Sequence, residues 1–209
     1  MGGLALMVAV GERHPAESAE QVMHRFSRMG TIDLRVDYLR QGIGQHFIAS
    51  AEVTSSSPST FTIHVEAEVA ASPQEAWRDL TRIERWWNSA HTYSGDASNL
   101  RLDARAGGCW CERWGNRQSV EHMRVVMVTE HEGTRTLRAI GGLGPLQEMG
   151  VTGVLTFTIE PHPNGAKIRM NYRVSGDPSL NLQALAAPVD SVMTEQFGRL
   201  VRYSSGTLD

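Results

Sequence analysis

An α+β fold is predicted for most of this 209-residue chain, with an antiparallel sheet curling around one long C-terminal helix. Three observations predict it. Short runs of alternating apolar and polar residues recur after Thr60, two short helical signals follow the first of them, and the last apolar segment repeats at helical spacing. The first 54 residues read differently, and the change of pattern falls between about Ala49 and Thr60. We therefore take residues 1–54 as one piece, 55–60 as a linker and 61–209 as a complete unit in which function is expected to reside.

In the upstream piece, Gly2 to Val10 reads as the end of a buried helix and Gly11 to Met29 as a polar excursion. Ile32, Leu34, Val36 and Tyr38 then alternate with Thr31, Asp33, Arg35 and Asp37, the period of a half-buried strand. Gln41 to Gly44 form a turn, and Phe47 to Val53 pair back as the second arm of a hairpin.

The downstream unit begins with a strand in which Phe61, Ile63, Val65, Ala67 and Val69 take one face. Ser72 is a suitable N-cap for the helix that follows, with Pro73 in its first turn and Glu75 as the capping-box partner three residues on. That helix carries Ala76, Trp77 and Leu80, and a second begins near Arg82 with Ile83, Trp86 and Trp87. Six strand signals come next, at about Leu100 to Asp103, Gly108 to Trp114, Val120 to Thr129, Thr134 to Ile140, Val154 to Glu160 and Ala166 to Val174. Turn residues such as Gly115-Asn116, Glu132-Gly133 and Pro163-Asn164-Gly165 separate them. Ser179 to Tyr203 supplies the main helix, with Leu182, Leu185, Val189, Val192, Met193, Phe197, Leu200 and Val201 on its apolar side. Pro188 either kinks this helix or marks its true start.

Composition excludes several classes. A formal charge of -3, 41% hydrophobic and 21% charged residues describe an ordinary globular protein without a basic, aromatic-interleaved face, so no nucleic-acid partner is expected. The apolar run Gly2 to Val10 is far short of the roughly 20 residues a bilayer demands, so no transmembrane segment is expected either. Charged residues occupy the place of a signal-peptide core before Ala49-Ser50-Ala51, which predicts a cytoplasmic chain as written. The two cysteines, Cys109 and Cys111, sit at strand spacing with Cα atoms about 7 Å apart, too far for an easy disulfide. A zinc ion would need two more ligands, for which only His91 or His122 offer themselves, so no metal and no cofactor are expected.

The wording RFSRMGTIDLRVDYLRQGIGQHFIASAEV, Arg25 to Val53, resembles the hotdog-fold acyl-CoA thioesterases. In that family the catalytic carboxylate lies in a helix upstream of the part retained here. The resemblance therefore implies a truncated hotdog-like fragment, and thioesterase activity is not expected. Asp33 and Asp37 read as solvated residues on a strand's polar face.

The element order downstream, together with EVAASPQEAWRDLTRIERWWN (Glu68 to Asn88), resembles the START/Bet v 1-like superfamily, also called SRPBCC or helix-grip proteins. The segments GGCWCERW (Gly107 to Trp114) and GGLGPLQEMGVTGVLTFTI (Gly141 to Ile159) resemble its bacterial polyketide cyclase-like members. The resemblance implies a cavity between the concave sheet and the long helix, lined by Ile63, Val65 and Ala67, by Leu155, Phe157 and Ile159, and by Ile168, Met170 and Tyr172. It also implies that Trp86, Trp87 and Tyr93 stand at one rim, and it adds that relatives are often exported. Leu143, Leu146 and Met149 in the glycine-rich loop Gly141 to Gly150 suit an apolar lid, and Phe197 faces the cavity from the helix. The loop's glycines follow no phosphate-binding pattern.

Chemistry is best sought on the strand in which Trp110, Glu112 and Trp114 share a face. An inward Glu112 would have its pKa raised by apolar neighbours and suit acid/base work, whereas an outward one would pair with Arg124 or Arg138. His122, Arg124 and Tyr172 are further polar candidates. Three readings follow: a carrier of a small hydrophobic or lipid-like ligand, a cyclase/aromatase-type enzyme using Glu112, His122, Arg124 or Tyr172, and a co-chaperone-like interaction module. The first is the leading one, with the protein a monomer or a weak homodimer.

Overall fold

The computed structural model describes Ser18, Glu20, Gln21 and residues 59–208. The chain divides into two units, Met1–Ser56 and Ser57–Asp209. The apolar run and the hairpin expected upstream lie outside the described residues.

In the second unit, seven strands form one curved antiparallel sheet. They are β1 (Ser59–Val69), β2 (Leu100–Leu102), β3 (Cys109–Trp114), β4 (Gln118–His131), β5 (Thr134–Ile140), β6 (Thr152–His162) and β7 (Gly165–Gly176), in the spatial order β1-β7-β6-β5-β4-β3-β2. Strands β2 to β7 run as a meander of neighbours, and β1 closes onto the last of them from Ser59↔Gly176 to Val69↔Ala166. Helices α1 (Pro73–Thr81) and α2 (Ile83–Trp86) connect β1 to β2, and α3 (Leu182–Ser204) follows β7. This is the helix-grip fold.

Local sequence accounts for the start of each element that matters here. At α1 the capping box forms in full: the Glu75 N–H donates to Ser72 Oγ at 3.3 Å and the Ser72 N–H donates to Glu75 Oε2 at 2.9 Å. Pro188 lies on an exposed position inside α3 and does not mark its start, which falls at Leu182 after Asn181 in a left-handed conformation. α3 packs along β1 and against α1, α2 and β7. Its buried side chains are Leu182, Met193, Gln196, Phe197 and Leu200.

Alternation along β6 and β7 is strict. Leu155, Phe157, Ile159, Ile168, Met170, Tyr172 and Val174 face inward and are buried. The outer face of β1, β7 and β6 carries ion pairs instead, with Glu66 held by Lys167 and Arg169, and Arg169 by Glu160.

β4 breaks the rule twice. Cys111 pairs with Glu121 and Trp110 with Met123, which leaves His122 as an extra residue; Val125 pairs with Ala139 and Met127 with Arg138, which leaves Val126 as another. Each is a β-bulge, and a bulge turns a side chain out of its alternating position. His122 and Met123 consequently both point inward, while Arg124 turns out.

Candidate functional site

The polar centre of the inner face is Glu112. β3 directs Trp110 and Glu112 inward, and pairing of Leu100 with Glu112 brings the preceding loop against the carboxylate. That loop is made rigid by its own side chains: Asn88 caps the turn Ser89–His91 and Asp96 caps Ala97–Asn99. Glu112 Oε2 accepts the Tyr93 N–H at 3.0 Å, Oε1 accepts the Ser94 N–H at 2.5 Å, and His122 Nε2 lies 3.0 Å from Oε2. Both side chains are buried.

Burial pushes the Glu112 carboxyl up, but the hydrogen bonds from Ser94, Tyr93 and His122 together outweigh it and hold the group below the usual carboxylate range. The expectation of a raised pKa is therefore corrected, because the chain supplies backbone donors that the strand's own sequence does not show. Burial also pushes the His122 imidazole down, and Glu112 opposes this only in part. The pair is a carboxylate beside a neutral imidazole. Its tautomer is assigned from its partner: Nε2–H donates to Glu112, so Nδ1 carries a lone pair and has no partner among the described residues.

Aromatic rings extend from this pair toward α2. Tyr93 lies 5.7 Å and Trp110 lies 6.2 Å from the His122 ring, Trp110 meets Trp87 edge-on at 4.9 Å, and Trp87 meets Trp86 at 5.7 Å. Trp86 Nε1 donates to the carbonyls of Asp79 and Leu80, and Trp87 Nε1 donates to that of His91. Trp110 Nε1 is buried and has no partner among the described residues. On α3, Gln196 Oε1 accepts the Asn88 N–H at 2.8 Å, and Gln196 Nε2 is buried without a partner among them.

The loop after β5 is tied down at its start and its middle. The Tyr172 hydroxyl accepts the Leu143 N–H at 3.2 Å and donates to the Gly141 carbonyl at 3.4 Å. Glycine is required opposite it, since a Cβ on Gly153 would meet the Gly141 carbonyl oxygen and the Tyr172 hydroxyl. Burial raises the Tyr172 phenol to about 12, so this hydroxyl serves as a fixed hydrogen-bonding post and not as an acid near neutral pH. Further along, the Tyr93 hydroxyl donates to the Gly144 carbonyl at 3.3 Å, and Gln147 Nε2 donates to the Glu121 carbonyl at 2.6 Å.

Of the candidate residues, Trp86, Trp87, Trp110, Glu112, His122, Leu146, Phe157, Met170, Tyr172 and Phe197 are buried, Leu143 is half-buried and Tyr93 is exposed. Arg124 is not among the inward groups. The bulge at His122 turns it to the outer face, where it pairs with Glu121 at 2.7 Å, and its expected place inside the cavity is corrected. Cys109 and Cys111 are also corrected: their sulfurs are paired as a disulfide, because the backbone opposite the bulge brings the two Cα atoms to 5.3 Å. The ligand atoms of Cys109, Cys111 and Glu121 lie within 4.8 Å of one another on the outer face, but both sulfurs are committed to each other. The additional zinc ligands considered from sequence are elsewhere, His122 on Glu112 and His91 on Glu195. A surface depression of about 320 Å³ near Trp77, Val128, Thr129, Glu130 and Arg135 involves none of the candidates.

Sequence reasoning missed Gln196, although it stands in helical phase with Met193 and Leu200 as the one polar residue of that buried set. It also missed the backbone donors of Tyr93 and Ser94, for which no residue type gives a signal.

No helix among the described residues is long and apolar enough to cross a membrane. Medium/long-chain acyl-CoA thioesterase YigI of Escherichia coli K12 is 41% identical over 64 residues, which cover 31% of this chain and 41% of that protein. The thioesterase of the same name from Salmonella typhimurium LT2 matches to the same extent. The chain thus spans less than half the length of the curated relatives it matches. Among solved structures, an uncharacterized protein from Rhizobium leguminosarum superposes with a TM-score of 0.46 at 18% identity, over 71% of this chain and 96% of that one. Norcoclaurine synthase from Thalictrum flavum superposes with a TM-score of 0.47 at 15% identity, over 72% and 97%. Residues 60–205 match the family described as polyketide cyclase / dehydrase and lipid transport, and to that family the chain belongs.

Proposed function

We propose that the protein binds a small hydrophobic or lipid-like molecule between the inner face of the sheet and α3. One observation carries this reading: the largely apolar inner face holds a buried carboxylate and imidazole, the carboxylate fixed by three donors, among aromatic rings. Such a combination orients a ligand that the apolar walls hold. Medium- to long-chain acyl compounds are practical first probes, since an apolar chain ending in one polar group suits apolar walls with a few placed polar groups. Native mass spectrometry of the purified full chain, followed by solvent extraction, tests the reading. The expected result is a retained apolar molecule. A chain that emerges empty and takes up no acyl compound would remove the proposal.

A second reading rests on the Nδ1 of His122, which has no hydrogen-bond partner among the described residues. A neutral imidazole oriented by a carboxylate is the arrangement of a general base, able to take a proton from carbon or hydroxyl. His122→Gln separates the two readings: a carrier retains its ligand, whereas an enzyme keeps binding and loses turnover.

A further inference from the structure

Trp110 and Gln196 each bury a hydrogen-bond donor that nothing in the described residues receives. Trp110 is 2% exposed and Gln196 is fully buried, so water does not satisfy these groups at the surface. Buried donors in folded proteins are nearly always paired, and an orphan calls for an explanation such as an absent ligand. The other two indoles of the aromatic row make the contrast, because Trp86 and Trp87 both donate to backbone carbonyls.

The Gln196 amide cannot be turned round to remove the difficulty. Its Oε1 accepts the Asn88 N–H, and the reverse orientation would set an NH₂ group against that N–H, leaving two donors facing each other. Both orphans flank the same step of the chain: the Trp110 ring lies 4.9 Å from that of Trp87, and Gln196 holds the nitrogen of Asn88.

We infer that the bound molecule presents an uncharged carbonyl group, as in a ketone or an ester, to Trp110 Nε1 and Gln196 Nε2 beside the Trp87–Asn88 step. This rests on the interior-binding reading above and specifies the ligand's chemistry. Two buried donors left without an acceptor select a group that only accepts. Charge selects against a carboxylate. The buried ion of the inner face is the negative Glu112, and the Arg199 guanidinium, whose Nε donates to the Trp86 carbonyl at 2.7 Å, already acts on the Glu195 carboxylate and helps to hold it down.

The test uses the full chain and four compounds of matched size: octane, 2-octanone, methyl heptanoate and, above neutral pH, heptanoate. Trp fluorescence titration is expected to show the ketone or the ester binding about tenfold more tightly than octane, the worth of a buried hydrogen bond. Heptanoate is expected to bind more weakly than either, and the ketone and ester arms tell the two carbonyl sources apart. Trp110→Phe and Gln196→Met are each expected to reduce the preference over octane.

Equal binding of octane and both carbonyl compounds would overturn the inference and leave interior binding standing. Binding of none of the four would overturn both. Heptanoate binding as tightly as the ketone would overturn the claim that the group is uncharged. If a variant does not fold, the wild-type chain labelled with ¹⁵N-indole reads the same point. The indole N–H resonance with cross-peaks to the Trp87 ring shifts downfield with the favoured carbonyl compound and not with octane, and no shift in the presence of bound ligand would overturn the assignment.

Discussion

Two clusters of acidic and basic side chains share almost the same distances and differ in everything else. On the outer face Glu66 lies 2.9 Å from both Lys167 and Arg169, and Arg169 lies 2.7 Å from Glu160. On the inner face Glu112 and His122 are 3.0 Å apart. Lys167 and Arg169 hold the Glu66 carboxyl down by hydrogen bonding, but the group stands in water, where ion pairs are screened and side-chain entropy opposes them. Glu112 is cut off from water and fixed by two backbone N–H groups, so its loss would strand three donors inside the fold. Separation in ångströms therefore says little about what a charge contributes; access to water and the number of fixed partners decide it.

The largest effect expected from this contrast is at Glu112. Glu112→Ala should destabilise the protein by about 3 kcal/mol in chemical denaturation, the scale for leaving buried polar partners unsatisfied. Glu112→Gln should cost less, because an amide oxygen still accepts one of the backbone N–H groups. Equal costs for the two substitutions would assign the effect to charge and not to hydrogen bonding.

Acidification should sharpen the contrast. The folded pKa of His122 lies below its ordinary 6.5, so the unfolded chain takes up this proton first, and stability falls as the pH drops through 6.5. The folded pKa of Glu112 lies below 4.5, so its contribution is present above 4.5 and is lost as the pH falls through the folded value. Denaturation midpoints measured across this range should decline in two stages, and His122→Gln should remove the first.

Reduction of the Cys109–Cys111 disulfide should have a smaller effect, less than about 2 kcal/mol, because so short a loop restricts the unfolded chain little. The smallest is expected at Glu66→Ala, with a change in Tm of no more than about 2 °C that vanishes in high salt. A Tm loss at Glu66 comparable to that at Glu112 would break the comparison.

How much of this was legible depended on whether the information was periodic. Alternation through Ile63, Leu155, Phe157, Met170 and Tyr172 revealed the inner face, and Ser72, Pro73 and Glu75 announced α1 within a single turn. The bulge at His122 has no such signature. Arg124 looks in phase with His122 by counting, and only the inserted residue shows that it faces water. The same irregularity accounts for the disulfide that strand spacing argued against. Two of the three partners of Glu112 were hidden for a different reason, since they are backbone groups of a loop brought in by a strand of three residues.

The closure of β1 onto β7 has a consequence for how this chain comes into being. Ser59 must wait for Gly176 to be synthesised before its edge of the sheet is complete, so the fold's outermost ladder is also its most distant in sequence. Contacts of that kind form slowly, and an unpaired strand edge invites other strands while it waits. On the ribosome, β1 emerges early and stays unpartnered until β7, the last strand of the sheet, has followed. The polar side chains of its outer face, His64, Glu66 and Glu68, are then its own safeguard against premature association.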